Sequence, residues 1–215
     1  MDILVPFQFR QVVDEICNLE WHLLTSDEMI AAAHAYYYFS VQFRENLQIA
    51  RSLLPNDEKL FRLEEGECDT DNLSPWPGVA TVGERMDHDE FMRRTLGLLP
   101  IEPKQAAHFR AIGEAYLANI RGRDPFARAL SIASYEDGGL ESVFRAILQF
   151  ESWDNVLLHA FQHFLTEHIR FDSDPDEGHG ALCRHLPPDD RVLAFWEAFR
   201  DILIDCVPRL ASGPA

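Results

Sequence analysis

The stretch HIRFDSDPDEGHG, residues 168–180, contains the residue types that bind divalent metals. His168 and Asp172 are four positions apart, so on a helix their side chains lie on one face, about 6 Å apart at Cβ. A segment with proline, glycine and carboxylates then leads to a second imidazole, that of His179. Imidazole and carboxylate together suit Fe(II) and Mn(II). An ordinary His–Asp hydrogen bond has the same spacing, so spacing alone leaves both interpretations open.

Three further positions supply the same chemistry from other parts of the chain. His88 begins the amphipathic segment HDEFMRRTLGL, and Glu136 lies between a helix end rich in small residues and a glycine break. A carboxylate near the long irregular segment 68–86 would complete the set. Glu67 is preferred there over three alternatives, which are Glu64, Glu65 and Glu84. The candidate ligands are therefore Glu67, His88, Glu136, His168, Asp172 and His179.

Five other histidines are less suited to a metal site. His22, His34 and His108 stand alone among helix formers, which favours structural or surface roles. His159 and His163 are an i,i+4 pair, but they lie about 100° away from the His168 face of the same helix. No Glu-x-x-His motif occurs anywhere in the chain, so a ferritin-type diiron site is disfavoured.

Composition places limits on the class of protein. The chain has 215 residues, 47% of them hydrophobic and 26% charged, which predicts a globular fold with a substantial core. It has no signal-peptide pattern and no apolar run near 18 residues, so we expect a soluble, cytoplasmic protein. The net charge of −17 disfavours nucleic-acid binding. The four cysteines are scattered without a CxxC motif, which predicts reduced thiols.

The elements that must position these residues are helices. Apolar residues recur every three to four positions, which predicts a single all-α domain, residues 1–215, in a bundle of about seven or eight helices. Ser26 is the expected N-cap of the longest helix, and Pro55 ends it. The predicted helices cover residues 27–54, 56–67, 87–98, 104–119, 126–135, 140–150, 153–171 and 189–210. Long loops are expected at 68–86 and 172–188, and such loops are usually functional.

The order of these residues resembles that of the haem-oxygenase-like diiron oxidases and oxygenases. The likeness rests on HDEFMRRTLGL, on a lone glutamate about fifty residues later, and on EHIRFD followed by HG. It covers residues 58–186, and EHIRFD…HG is its most specific part. The resemblance implies an all-α haem-oxygenase-like bundle that binds no haem and uses two Fe(II) ions to activate O₂, with Mn as an alternative at one site.

The resemblance also implies a role for each candidate ligand. The first iron would be held by His88, Glu136 and His168. The second would be held by Asp172 and His179, with Glu67 bridging the two ions. Six residues separate Asp172 from His179, more than is usual in the family, which leaves Asp174 or Asp176 open as a second-site ligand. Glu84, four positions before His88, stays open as an alternative to Glu67.

The implied activity is oxidation of a small organic substrate, with an amino-acid-like molecule or amine favoured, by N-oxygenation or C–C cleavage in a specialised biosynthetic pathway. No nucleic-acid or membrane partner is expected, and a homodimer is left open. Aromatic side chains would limit access of water to the site: Tyr36, Tyr37, Phe39, Phe144, Phe161 and Phe164. The alternatives are a ligand-binding helical protein or a metal-free member of the superfold, similar to thiaminases or quinone-biosynthesis proteins. In such a metal-free member Cys206 would be the catalytic thiol, and Cys183 lies close to His179 and His185 in the sequence.

Overall fold

The computed structural model describes residues 8–73, 75–137, 139–172 and 178–211, without the side chains of residues 171 and 172. Within these ranges the chain is all-α, as predicted, but it has ten α-helices instead of seven or eight. They are α1 (Gln8–Cys17), α2 (Ser26–Leu53), α3 (Glu58–Glu67), α4 (His88–Gly97), α5 (Pro103–Arg121), α6 (Pro125–Glu136), α7 (Gly139–Ile147), α8 (Val156–Asp172), α9 (His179–Cys183) and α10 (Leu193–Cys206). None of the described helices is long and apolar enough to span a bilayer.

Helix α2 runs through the centre of the fold and contacts α3, α4, α5, α6, α8 and α10. It begins with a capping box, in which Thr25 and Glu28 satisfy each other's backbone N–H groups. The N-cap is therefore Thr25, whereas the sequence pattern predicted Ser26. Helix α6 packs on α2 and is buried on all sides from residue 127 to residue 136, so it lies in the core.

Two helices of the structure lie outside the predicted segments. Helix α1 buries Phe9, Val12, Val13 and Ile16, a spacing typical of an amphipathic helix. Helix α9 has five residues, too few for a periodic pattern to emerge in the sequence. The last predicted helix is also shorter than expected, since α10 ends at Cys206, two residues before a proline that cannot continue it.

The irregular segment between α3 and α4 returns to its starting point. Thr70 and Met86 pair through two backbone hydrogen bonds of 3.0 and 2.9 Å, and the Asp87 carboxylate accepts the backbone N–H of Asp69 at 2.9 Å. Asp69 adopts a left-handed conformation with φ of 44°, which lets the chain turn. The two ends of the segment are thus adjacent, so the last residue of α3 lies beside the first residue of α4.

Candidate metal centre

Five of the six predicted ligands come together in the core, each from a different helix. Four of them are terminal residues: Glu67 ends α3, His88 begins α4, Glu136 ends α6 and His179 begins α9. The fifth, His168, lies in the last turn of α8. All five are buried, with exposures of 5 to 6%. Helices normally expose their polar termini, so five buried ionisable side chains at helix ends indicate a built site.

The five side chains form two groups that share one carboxylate. Glu67, His88 and His168 form the first group, and Glu67, Glu136 and His179 form the second. The two oxygens of Glu67 face different groups: Oε2 lies 2.8 Å from His88 Nδ1, and Oε1 lies 3.0 Å from His179 Nδ1. A carboxylate that offers one oxygen to each of two groups is arranged as a bridging ligand.

The separations between donor atoms fit metal coordination. His88 Nδ1 is 3.0 Å from His168 Nε2, and His179 Nδ1 is 3.4 Å from Glu136 Oε2. Two donors about 2.1 Å from one ion are about 3.0 Å apart at a right angle and about 3.4 Å apart at the tetrahedral angle. Each group therefore has room for one ion with ordinary bond lengths.

Hydrogen bonds fix which ring nitrogens face the centre of the first group. His168 Nδ1–H donates to the Phe164 carbonyl at 3.0 Å. His88 Nε2–H donates to Asn72 Oδ1 at 3.0 Å, and the Asn72 amide is oriented because its Nδ2 donates to the Gly66 carbonyl at 2.7 Å. In neutral rings the lone pairs of His88 Nδ1 and His168 Nε2 thus point inward. Such second-shell partners are typical of metal-binding histidines.

Three acceptor atoms therefore converge in the first group, namely Glu67 Oε2, His88 Nδ1 and His168 Nε2. Acceptors at such distances repel one another unless a proton or a metal ion lies between them. Burial, together with the adjacent His88, lowers the pKa of His168 to about 3, so this ring stays neutral. Burial alone would raise the pKa of Glu67, but positive charge on the adjacent His88 and His179 rings holds it well below its usual range. A bound cation would supply that positive charge in place of the ring protons, because an ionised carboxylate and a neutral imidazole are the forms that bind metals.

The arrangement corrects the predicted grouping of ligands. Glu136 lies with His179 and not with His88 and His168, because it ends α6 on the side where α9 packs. His179 was expected in a loop, but it is the first residue of α9. Asp172 is the last residue of α8, one turn after His168, and its side chain lies outside the described part of the structure, as do the whole of Asp174 and Asp176.

The alternatives to Glu67 lie elsewhere. Glu84 accepts a 2.6 Å hydrogen bond from Arg94, and this contact is the main reason why its pKa falls to about 2. Glu64 pairs with Arg51 at 3.0 Å, and Glu65 is exposed. The structure therefore brings Glu67, and none of these three glutamates, into the cluster.

The histidines that were assigned to surface or structural roles are outside the cluster. His22, His108 and His159 are exposed. His163 packs at a tilt against Trp76 with ring centroids 4.7 Å apart, and His34 stacks on Phe109 at 4.8 Å. None of them belongs to a metal-binding group among the described residues.

Two glycines allow α9 to approach the other ligand helices. A Cβ added to Gly66 would lie 2.9 Å from His179 Nε2, and one added to Gly180 would lie 2.9 Å from the Glu136 carbonyl oxygen. Asn72 and Gly66 contact the cluster residues but were not identified from the sequence. Gly66 could have been noticed in the sequence, because a glycine in the last turn of a helix is a weak sign of close packing. Asn72 could not, because an asparagine in an irregular loop is ordinary.

A cavity of about 20 Å³ opens beside the cluster, which is room for about one water molecule or O₂. One stripe of α2 forms a wall of this cavity: Tyr36, Phe39, Ser40, Phe43 and Arg44. Of the other predicted aromatics, Phe164 also lines it, whereas Phe144 packs edge-on against His168 at 5.7 Å and Phe161 lies behind Tyr36 at 5.8 Å. Tyr37 is not among the residues that line it.

The Cys206 thiol, which was proposed for a metal-free reaction, and the Cys183 thiol near His179 are both poorly suited to nucleophilic attack. Cys183 is fully buried, and burial together with the nearby Glu136 raises its pKa well above the usual range. Burial likewise raises the pKa of Cys206 to about 12. Reactive cysteines have a lowered pKa, so neither thiol has the properties of a catalytic nucleophile. All four cysteines are free.

Comparisons with known protein families, with curated proteins and with solved structures found no match for this chain.

Proposed function

We propose that this chain is a nonhaem diiron oxidase or oxygenase with a haem-oxygenase-like fold. The observation that carries the proposal is the Glu67 carboxylate, which offers one oxygen to each of two buried groups of imidazole and carboxylate donors. One buried ion pair would explain a single His–Glu contact. It does not explain two groups that share a carboxylate and in which both rings of the first group direct a lone pair inward.

The donor set suits iron. Glu67, His88 and His168 would hold one ion, and Glu67, Glu136 and His179 would hold the other, with Asp172 as a further ligand. Nitrogen and oxygen donors without a thiolate favour Fe(II) or Mn(II). Two Fe(II) ions would supply the electrons for the reduction of O₂.

The protein's own groups would orient the ligands and exclude water. The Phe164 carbonyl and the Asn72 amide hold the rings of His168 and His88 in the ligating tautomer. The Phe164 ring packs at a tilt against His168 with centroids 4.1 Å apart, and Tyr36 packs edge-on against Phe164 at 5.5 Å. This aromatic wall keeps bulk water away from the cluster, which protects a reactive intermediate from side reactions.

We further propose an amino-acid-like substrate, since Arg44 is the residue with a permanent positive charge in the cavity lining. Its Nε and Nη2 atoms donate to Asp89 at 2.9 to 3.0 Å, and its Nη1 atom makes no hydrogen bond to any residue that the structure describes. The N–H groups of Nη1 can donate hydrogen bonds to a carboxylate. A substrate larger than O₂ requires the cavity to widen, and Arg44 is partly exposed at its edge, with 29% of its side chain accessible.

Anaerobic calorimetric titration with Fe(II), followed by exposure to O₂, tests the proposal. We expect two ions per chain and a transient visible absorption band after O₂ is added. His168→Ala should lose the first ion, whereas His159→Ala, a matched histidine on the same helix, should bind iron like the wild type. Absence of Fe(II) binding by the wild-type protein would contradict the proposal.

A further inference from the structure

Helix α9 places His179 in the second group, although this short helix has few internal hydrogen bonds to stabilise it. It comprises five residues, His179–Cys183. A helix of this length is unstable in isolation, because the cost of nucleation is not recovered in so few hydrogen bonds. Its position must therefore be maintained by contacts with the rest of the fold.

Part of this support is close packing against the helices that carry the two glutamates. Helix α9 contacts both α3 and α6. The His179 ring lies against Gly66 in α3, and Gly180 lies against the Glu136 carbonyl at the end of α6. Leu182 and Cys183 are buried. This packing fixes the beginning and the middle of α9.

The end of α9 is held by two acidic residues, one from each of the same two helices. Arg184 Nε donates to Asp137 Oδ1 at 2.9 Å, and Asp137 is the C-cap of α6, directly after Glu136. His185 Nε2 donates to Asp57 Oδ2 at 2.5 Å. Asp57 is also the N-cap of α3, since its Oδ1 accepts the N–H groups of two residues in the first turn at 3.0 Å.

We propose that Asp57 and Asp137, acting through His185 and Arg184, are positioning residues that hold α9 and so set the metal affinity of the Glu67–Glu136–His179 group. The part of this inference that concerns metal rests on the proposed diiron function; the part that concerns the position of α9 does not. The Asp57 carboxylate joins the start of α3 to the end of α9, so the helices that carry Glu67 and His179 are coupled through one side chain.

The two contacts differ in strength. The side chains of Arg184 and Asp137 are 58% and 43% exposed, so solvent screens their attraction. The side chains of His185 and Asp57 are 33% and 17% exposed, and their contact is shorter. We therefore expect the Asp57–His185 contact to contribute more to the docking of α9.

Hydrogen exchange in the metal-free protein tests the docking of α9 directly. The backbone N–H groups of Ala181, Leu182, Arg184 and Leu186 are hydrogen-bonded and serve as reporters. In His185→Ala, which leaves the Asp57 cap intact, these amides should exchange about tenfold faster, while α3 is unchanged. Asp57→Ser is a second variant that should speed exchange of the same amides. Serine still caps α3, but its side chain is too short to reach His185.

Metal titration then tests the consequence for the second group. In His185→Ala the second of two binding steps should weaken about tenfold and the first should be unchanged. The single variants D137R and R184D should each weaken the second binding step. The double variant D137R/R184D, which exchanges the two residues, should restore the affinity that either single variant loses. The matched control exchanges Glu141 and Arg145, an exposed pair at 2.6 Å on α7, and should change neither step.

The outcomes separate the two proposals. Unchanged exchange of the reporter amides in both His185→Ala and Asp57→Ser would overturn the positioning role. If the reporter amides exchange faster in the variants but neither the variants nor the wild type bind metal, the result would support the positioning role and overturn the diiron function. Equal weakening of both binding steps would overturn the selective effect on the second group.

Discussion

Replacing Gly66 with alanine should weaken the second metal site without weakening the fold. The added Cβ would lie 2.9 Å from His179 Nε2, whereas ordinary contacts begin at 3.4 Å. The ring must therefore move by about 0.5 Å, more than the roughly 0.2 Å that metal–ligand distances tolerate. Gly66 lies within α3, where alanine is favoured over glycine by up to about 1 kcal/mol. The free energy of unfolding of the metal-free protein should therefore be unchanged or slightly higher.

Calorimetric titration measures the effect of Gly66→Ala on the affinity of each metal-binding step. The second binding step should weaken by about 10- to 100-fold, the usual consequence of displacing a ligand's support. The first step should stay as in the wild type, because the added Cβ meets His179 and leaves the Gly66 carbonyl, which holds Asn72 behind His88, unaltered. Gly97→Ala is the matched control, since Gly97 also lies in the last turn of a helix and its added Cβ meets nothing within 4 Å. A Gly66→Ala protein with two unaltered binding steps would refute the assignment of His179 as a ligand.

The remaining predictions concern single side chains. Glu136→Ala should abolish the second Fe(II) binding step while the first survives; loss of both steps would show that Glu136 belongs to the first group after all. Asn72→Leu should weaken the first step about 10- to 100-fold because His88 loses its orienting acceptor. Asn72→Asp keeps the acceptor for His88 but loses the hydrogen bond to the Gly66 carbonyl, so it should weaken the step less; equal affinities in both variants would contradict this role. Burial lowers the pKa of His34 from 6.5 to about 4. The unfolded chain therefore binds a proton between these values that the folded chain does not, and stability falls as the pH drops from 6.5 to 4, by up to about 3 kcal/mol. His34→Leu should remove this part of the acid sensitivity, and denaturant unfolding at pH 7 and pH 4.5 would show whether it does.

The helical class and all five of the clustered positions were readable from the chain. Apolar residues at helical spacing predict helices because one face must be buried, and most predicted segments match observed helices to within a few residues. His168 and His88 were identifiable because each lies at a helix end next to residues of complementary chemistry. The N-cap of α2 was misplaced by one residue because Thr25 and Ser26 are both good caps, and only the reciprocal bonds with Glu28 distinguish them.

The grouping of the ligands was decided by tertiary structure alone. Glu136 pairs with His179 because α9 packs against the end of α6, and a five-residue helix leaves no periodic pattern from which this contact could be foreseen. The long segment between Glu67 and His88 gave no sign that it returns to its start, since the Thr70–Met86 pairing depends on backbone groups that every residue has. Asn72 has its role for the same reason: the folded loop, and not its residue type, places it behind His88. The sequence thus determined which residue types were available for chemistry, while packing determined which of them meet.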